Sequence, residues 1–254
     1  MIRRCVCSLL ALSLGFSLGL EARAGDANAH DSFGVLLAKY VHGGRVDYRA
    51  WTADATDAQE LADYVDRLES MDPEKMDSPD ALAYWINLYN ATTLELLLDH
   101  YPVDSIKDIG GLLSSPWKRE LVAVSGEGLT LNEIENEIIR PRFADARIHF
   151  ALNCAAVSCP PLQSFAFEGG KLDEQLERVT RAALADARFF DASSCVDGSG
   201  KLRLSRIFDW YADDFKAASG SIEAFARHYA GDVVEPGCKL DFMDYDWALN
   251  ESSK

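Results

Sequence analysis

Apolar positions along the chain fall into blocks of helical period, separated by short polar and glycine-bearing stretches. Phe33, Leu36, Leu37 and Tyr40 recur on one face of a short helix opened by Asp31 and stopped by His42-Gly43-Gly44. Leu61, Tyr64, Val65 and Leu68 mark a second helix within 57–71. The strongest block, Asp80 to Tyr101, reads DALAYWINLYNATTLELLLDHY, with Ser78 as candidate cap, Pro79 suited to the first turn and Pro102 as terminator. It is apolar on most sides, and such a helix belongs at the centre of a core. Further on, 117–124 is expected as a strand, and Thr130 with Glu133 matches a capping box opening a helix that runs to Ile139. The pattern predicts a buried strand over 147–153, a helix over 172–186 and a hairpin over 196–204 around Asp197-Gly198-Ser199-Gly200. Helices over 207–215 and 221–229 and an extended aromatic tail over 240–250 complete it. This order predicts an α+β, helix-rich single domain around a small antiparallel sheet, with a central buried helix at about 79–101. No linker divides residues 25–254.

The first 24 residues break the pattern. Arg3 and Arg4 precede an apolar run from Cys5 to Leu20, and Ala22-Arg23-Ala24 follows as a small-x-small cleavage site. The run is too short to span a bilayer, and the three parts together are those of a secretory signal peptide. Cleavage near Ala24 is expected, leaving a periplasmic or secreted chain that inserts into no membrane. The net charge is −16, and cleavage removes three arginines and one glutamate, so the mature chain is more acidic still. That charge repels nucleic acid and anionic membrane surfaces and leaves a small molecule or peptide as the expected ligand class.

Export changes how the cysteines read. Four remain after cleavage, and an even number in an oxidising compartment admits two disulfides. Cys195 and Cys238 lie in glycine- and aspartate-rich sequence that suits a structural bridge. Cys154 and Cys159 leave several readings open: a bridge to each other, inert buried thiols, pairing of Cys159 elsewhere, or a reactive Cys154. A strand over 147–153 sets Arg147, His149 and Ala151 on one side, with Asn153, Cys154, Ser158 and Cys159 at its end. An imidazole lowers the pKa of a neighbouring thiol, so Cys154 and His149 are a candidate nucleophile and base if the turn at Asn153 brings the thiol back. On the central helix Asn87, Asn90 and Thr93 share a face. Either Asn87 or Asn90 orients the base or donates to an oxyanion, or the face ties the helix to neighbouring loops, because a buried unpaired amide costs about 1–3 kcal/mol. The spacing of His149, Cys154 and Cys159 matches no usual zinc pattern. C-x-x-C, a phosphate loop and a nucleotide fingerprint are absent, and G-x-S-x-G is absent from residues 25–254, so no metal or cofactor is expected.

Five segments, AYWINLYNATTLELLLDHYP, LTLNEIENEIIR, RIHFALNCAAVSCPPL, LSRIFDWYADDF and YDWALN, resemble in content and order the domain of unknown function 547 family. The resemblance implies kinship without an activity. Trp85, Asn87, Asn90, His149, Cys154 and Cys159 fall on its motif positions, and Asn153 and Ser158 are further pocket candidates beside them. Many relatives carry histidine where this chain has Asn136, so a catalytic role for that histidine would leave this chain altered or inactive. Bacterial members are often exported; other members are intracellular. Two functions are therefore expected to compete. One is a thiol-dependent hydrolase or acyl-transfer enzyme of the cell envelope. The other is a non-catalytic periplasmic binding or structural domain with disulfide-bonded cysteines.

Overall fold

The computed structural model describes residues 29–110, 115–231 and 237–252; the expected signal peptide lies outside the described residues. Three helices, α1 (Asp31–Tyr40), α2 (Tyr48–Ala53) and α3 (Ala55–Glu69), open the fold, with a two-residue pair, β1 (Val41–His42) and β2 (Arg45–Val46), between α1 and α2. Their apolar faces close on α4 (Ser78–His100). Asp77, rather than Ser78, caps α4: its carboxylate accepts the Asp80 N–H at 3.2 Å, and Pro79 fills the first turn. From Ala81 to Leu98 every side chain of α4 except Glu95 is buried, as a helix apolar on most sides requires.

Strands β3 (Glu120–Val124) and β4 (Glu127–Thr130) form a hairpin that leads into a helical segment of mixed pitch. Pro116–Lys118 is a helical turn before β3, so the expected strand over 117–124 begins later than the pattern implied. The capping box at Thr130 and Glu133 is formed in full and opens α5 (Leu131–Glu133). Ile134–Ile139 then widens to a π-helix before α6 (Arg140–Phe143). Pro141 has no N–H to give to the preceding turn and its ring crowds the carbonyl four residues back. The Arg140 N–H accordingly bonds the Glu135 carbonyl, five residues back.

The strand expected over 147–153 does not form. Ala146–Phe150 is a 3-10 turn, because Asp145 accepts the Arg147 N–H at 2.9 Å and holds the Arg147 guanidinium as well. Local capping of this kind competes successfully with a short apolar run. His149 is consequently buried with Ile148 and Phe150 instead of facing away from the apolar side.

Beyond α7 (Leu172–Leu184) lie β5 (Phe190–Asp191), β6 (Cys195–Val196) and β7 (Ser199–Leu204). The β6–β7 turn is Asp197-Gly198, both at positive φ (49° and 70°), as a two-residue hairpin needs. Next come α8 (Ile207–Trp210), α9 (Ala212–Ser219) and α10 (Ile222–Ala230), which stack Phe208, Phe215 and Phe225 against Phe150. The last strand, β8 (Lys239–Phe242), runs parallel to β7, whereas the other strand pairs are antiparallel. The fold is thus α+β and helix-rich, as expected, with one parallel pairing added.

Cys195 and Cys238 form a disulfide across 43 positions and tie the start of β8 to β6. A loop of that length stabilises a fold by about 4 kcal/mol in the chain-entropy account. The tail continues from β8 and lies against 155–158: Ala156 and Leu249 form an antiparallel bridge, and the Val157 N–H bonds the Ala248 carbonyl at 2.8 Å. Among the described residues no helix is long and apolar enough to cross a membrane.

Candidate functional site

The loop 151–160 is neither helix nor strand, so its buried backbone groups need other partners. Asparagines provide them. Asn90, on α4, donates from its amide to the Ala151 carbonyl at 2.9 Å and accepts the Asn153 N–H at 2.8 Å. Asn153 donates in turn to the Pro160 carbonyl at 2.7 Å and accepts the Ala155 N–H at 2.9 Å. Asn250, from the tail, donates to Asn153 at 3.3 Å, takes the Tyr48 hydroxyl at 2.8 Å and bonds the Ala155 carbonyl through its own N–H. Residues from three distant parts of the chain thereby clamp one turn. Ala155 is held at φ 60°, a left-handed conformation that costs an alanine about 1–2 kcal/mol.

The clamped loop forms one wall of a cavity of about 300 Å³ that also takes His149, Glu135 and Asn132. Tyr211, Trp210, Tyr245 and Trp247 supply aromatic walls, with ring centroids of the last three 4.6–5.9 Å apart. His149 is 4 % exposed and stacks on Tyr211 at 3.9 Å. Its Nε2 lies 2.8 Å from Asp214 Oδ2, on α9. Arg140 grips the same carboxylate through Nε and Nη2, at 2.7 and 3.0 Å. The His149 and Arg140 contacts hold the Asp214 carboxyl well below the usual carboxylate range. Asp214 is thus a fixed anion that orients the imidazole. Glu135, buried on the π-helix, takes the Tyr89 hydroxyl at 3.3 Å and also bonds the Tyr211 hydroxyl, whose proton burial retains. The π-turn places Glu135, Asn136 and Arg140 together: Asn136 accepts from Arg140 at 2.8 Å and donates to Asn132 at 3.2 Å.

Cys154 and Cys159 are not bridged. Their sulfurs are 2.9 Å apart, and the Cys154 N–H points at Cys159 Sγ at 2.8 Å. Tyr245 places its hydroxyl 3.2 Å from Cys154 Sγ. The two thiols share this pocket unequally. Cys154 is half-buried on the cavity, whereas Cys159 is 5 % exposed. The Cys159 thiol and the Tyr245 hydroxyl push the Cys154 pKa down, and burial pushes Cys159 well up.

Of the residues singled out from sequence, His149, Cys154 and Cys159 line the cavity. Cys154 and His149 are not hydrogen-bonded to each other, and the partner of His149 is Asp214. Asn87 and Asn90 depart from the expected base-orienting or oxyanion roles because backbone consumes both amides. Asn87 donates to the Phe167 carbonyl at 2.8 Å and accepts its N–H at 2.9 Å, while Asn90 holds the cysteine loop. Trp85 is buried beside Tyr84, off the cavity, with no partner for its Nε1 among the described residues. Ser158 accepts the Asp246 N–H at 2.9 Å and anchors the tail. Asn153 belongs to the clamp.

Sequence reasoning did not single out Glu135, Tyr211, Asp214, Tyr245 or Trp247. All five lie in segments that carry the family resemblance, and that placement is the one signal the sequence offers for them. A family model described as "Protein of unknown function, DUF547" matches residues 73–183. That stretch holds α4, the π-turn and the cysteine loop; Tyr211, Asp214, Tyr245 and Trp247 lie beyond it. No curated protein and no solved structure matches the chain.

Asn90→Ala leaves the Asn153 N–H and the Ala151 carbonyl buried and unpaired. It is expected to lower unfolding stability by on the order of 3 kcal/mol in urea denaturation. A loss below about 1 kcal/mol would mean that the loop holds itself.

Proposed function

Because the chain belongs to the DUF547 family, whose description assigns no activity, we propose from the site itself that it is a thiol-dependent hydrolase or acyl-transfer enzyme, with Cys154 as nucleophile and His149 as base. The observation that carries this reading is that Cys154 and the Asp214-held His149 open on one cavity. Cys154 loses its proton to His149 and attacks the acyl carbon. The imidazolium returns the proton to the leaving group, and His149 then activates the water or acceptor that releases the acyl group. Asp214 does for His149 what Asn87 or Asn90 was expected to do. Asn132 lines the cavity with an amide nitrogen that has no partner among the described residues, and it is the candidate oxyanion donor. Contacts between nucleophile and base commonly tighten only around substrate, which accommodates the missing Cys154–His149 hydrogen bond.

The same reading places the protein outside the cytoplasm, in the periplasm or secreted. The Cys195–Cys238 bridge supports this, since structural disulfides persist in oxidising compartments. N-terminal sequencing of the protein from a periplasmic fraction is expected to start at Gly25; an intact N-terminus in the cytoplasmic fraction would contradict export.

An activated ester such as p-nitrophenyl acetate tests the chemistry. The expected result is a transient acetyl group mapped to Cys154, abolished in Cys154→Ser. In His149→Ala, turnover falls by about 10²–10⁴-fold. Ester turnover by Cys154→Ser equal to wild type, or no adduct at all, would favour the non-catalytic binding or structural reading instead.

A further inference from the structure

We propose that the cysteine pair also reduces hydroperoxides, with Cys154 as the peroxide-reacting thiol and Cys159 as its resolving partner. This rests on the reading of Cys154 as a reactive thiolate but does not need acyl chemistry. The central observation is the sulfur pair itself. At 2.9 Å the two sulfurs sit closer than non-bonded sulfurs ordinarily do, and a disulfide bond of about 2.0 Å needs only a small further approach. The pair is asymmetric in the way a two-thiol peroxide site requires. The half-buried sulfur faces the cavity, where an oxidant can reach it, and the 5 % exposed sulfur waits behind it.

The surroundings fit each step. The Cys154 thiolate attacks the terminal oxygen of a hydroperoxide, the O–O bond breaks, and the departing alkoxide or hydroxide takes a proton from solvent at the open side of the cavity. The Tyr245 hydroxyl, 3.2 Å from Cys154 Sγ and kept protonated by burial, hydrogen-bonds the attacking thiolate. The product is a sulfenic acid on Cys154 and one alcohol or water. Cys159 then attacks the Cys154 sulfur. The S–S bond forms, and the sulfenic hydroxyl leaves as water with the Cys159 proton. One hydroperoxide and two thiols become one alcohol, one water and one disulfide. An external dithiol returns the pair to its reduced state by exchange at the accessible Cys154 sulfur. The bridge would close a short loop in which Ala155 already sits in the left-handed region, and strained bridges are the readily reduced ones. The aromatic walls of Trp210 and Trp247 suit an organic hydroperoxide.

Reduced wild-type protein is titrated with cumene hydroperoxide and followed by thiol counting and intact mass. One equivalent is expected to consume both free thiols, lighten the chain by two hydrogens and give a peptide bridged between Cys154 and Cys159. Its rate should exceed that of free cysteine at the same pH by at least about tenfold. Cys159→Ser should stop at a sulfenic acid that dimedone traps on Cys154, and Cys154→Ser should lose the reaction. If Cys159→Ser does not fold, the wild-type stoichiometry and peptide map decide alone. Sulfinic acid on Cys154 with Cys159 still free, or equal consumption by Cys154→Ser, overturns the proposal. The same preparation assayed with p-nitrophenyl acetate separates the two readings. Acetylation without peroxide-driven bridging overturns only the peroxide step; bridging without acetylation overturns only the acyl-transfer reading; neither reaction overturns both.

Discussion

Three buried asparagines replace the secondary structure that the loop 151–160 lacks. Asn90 comes from the central helix, Asn153 from the loop and Asn250 from the tail, and their amides satisfy backbone groups on both sides of Cys154. Each buried backbone group left unpaired would cost on the order of 1–3 kcal/mol, so the loop has little freedom to adopt another shape while the rest of the fold stands. The position of both sulfurs follows from this. So does the reach of the tail, whose Ala156–Leu249 bridge keeps Tyr245 and Trp247 against the cysteines. The Cys195–Cys238 disulfide restrains the same segment from its other end.

The opposite wall depends on charge. Arg140 and His149 converge on one Asp214 carboxylate, and the π-turn that Pro141 forces upstream brings Glu135 and Asn136 to the same place. Two polar constructions of different kinds, one of neutral amides and one of paired ions, thus face each other across the cavity. Between them, similar thiols become unlike groups. Cys154 meets donors and the cavity; Cys159 meets burial. Both proposed reactions use this inequality.

Much of the scaffold was legible in the residues. The all-round apolar character of 80–101 announced a central helix, Thr130 and Glu133 announced a helix start, Asp197-Gly198 a hairpin, and Cys195 with Cys238 a bridge. Each of these signals is local, or, for the bridge, constrained by covalent chemistry. The failures have a common cause as well. Periodicity over a few apolar residues puts His149 on a strand because it cannot weigh the capping carboxylate of Asp145. Asn87 and Asn90 read equally as catalytic or as ties to neighbouring loops, because a buried amide looks the same from sequence whether it faces substrate or backbone; the contacts match the second reading. Asp214 is not marked by the local sequence, because it meets His149 from 65 positions away and nothing in a solvated-looking ADDF stretch identifies that partner. The cavity is assembled from segments far apart in the chain, so its chemistry is a property of packing that local pattern does not encode.

The clamp and the two polar walls make one thiol, Cys154, the more acidic and the more accessible of the pair. The most direct measurement is the pH dependence of iodoacetamide labelling of the reduced protein, with each cysteine resolved by peptide mapping. Labelling is predicted at Cys154 ahead of Cys159, with an inflection below the value of about 8.5 for an unperturbed cysteine. The rate should fall as the pH drops through that inflection and the thiolate is protonated. Labelling of Cys159 first, or an inflection for Cys154 at or above that of free cysteine, would contradict it.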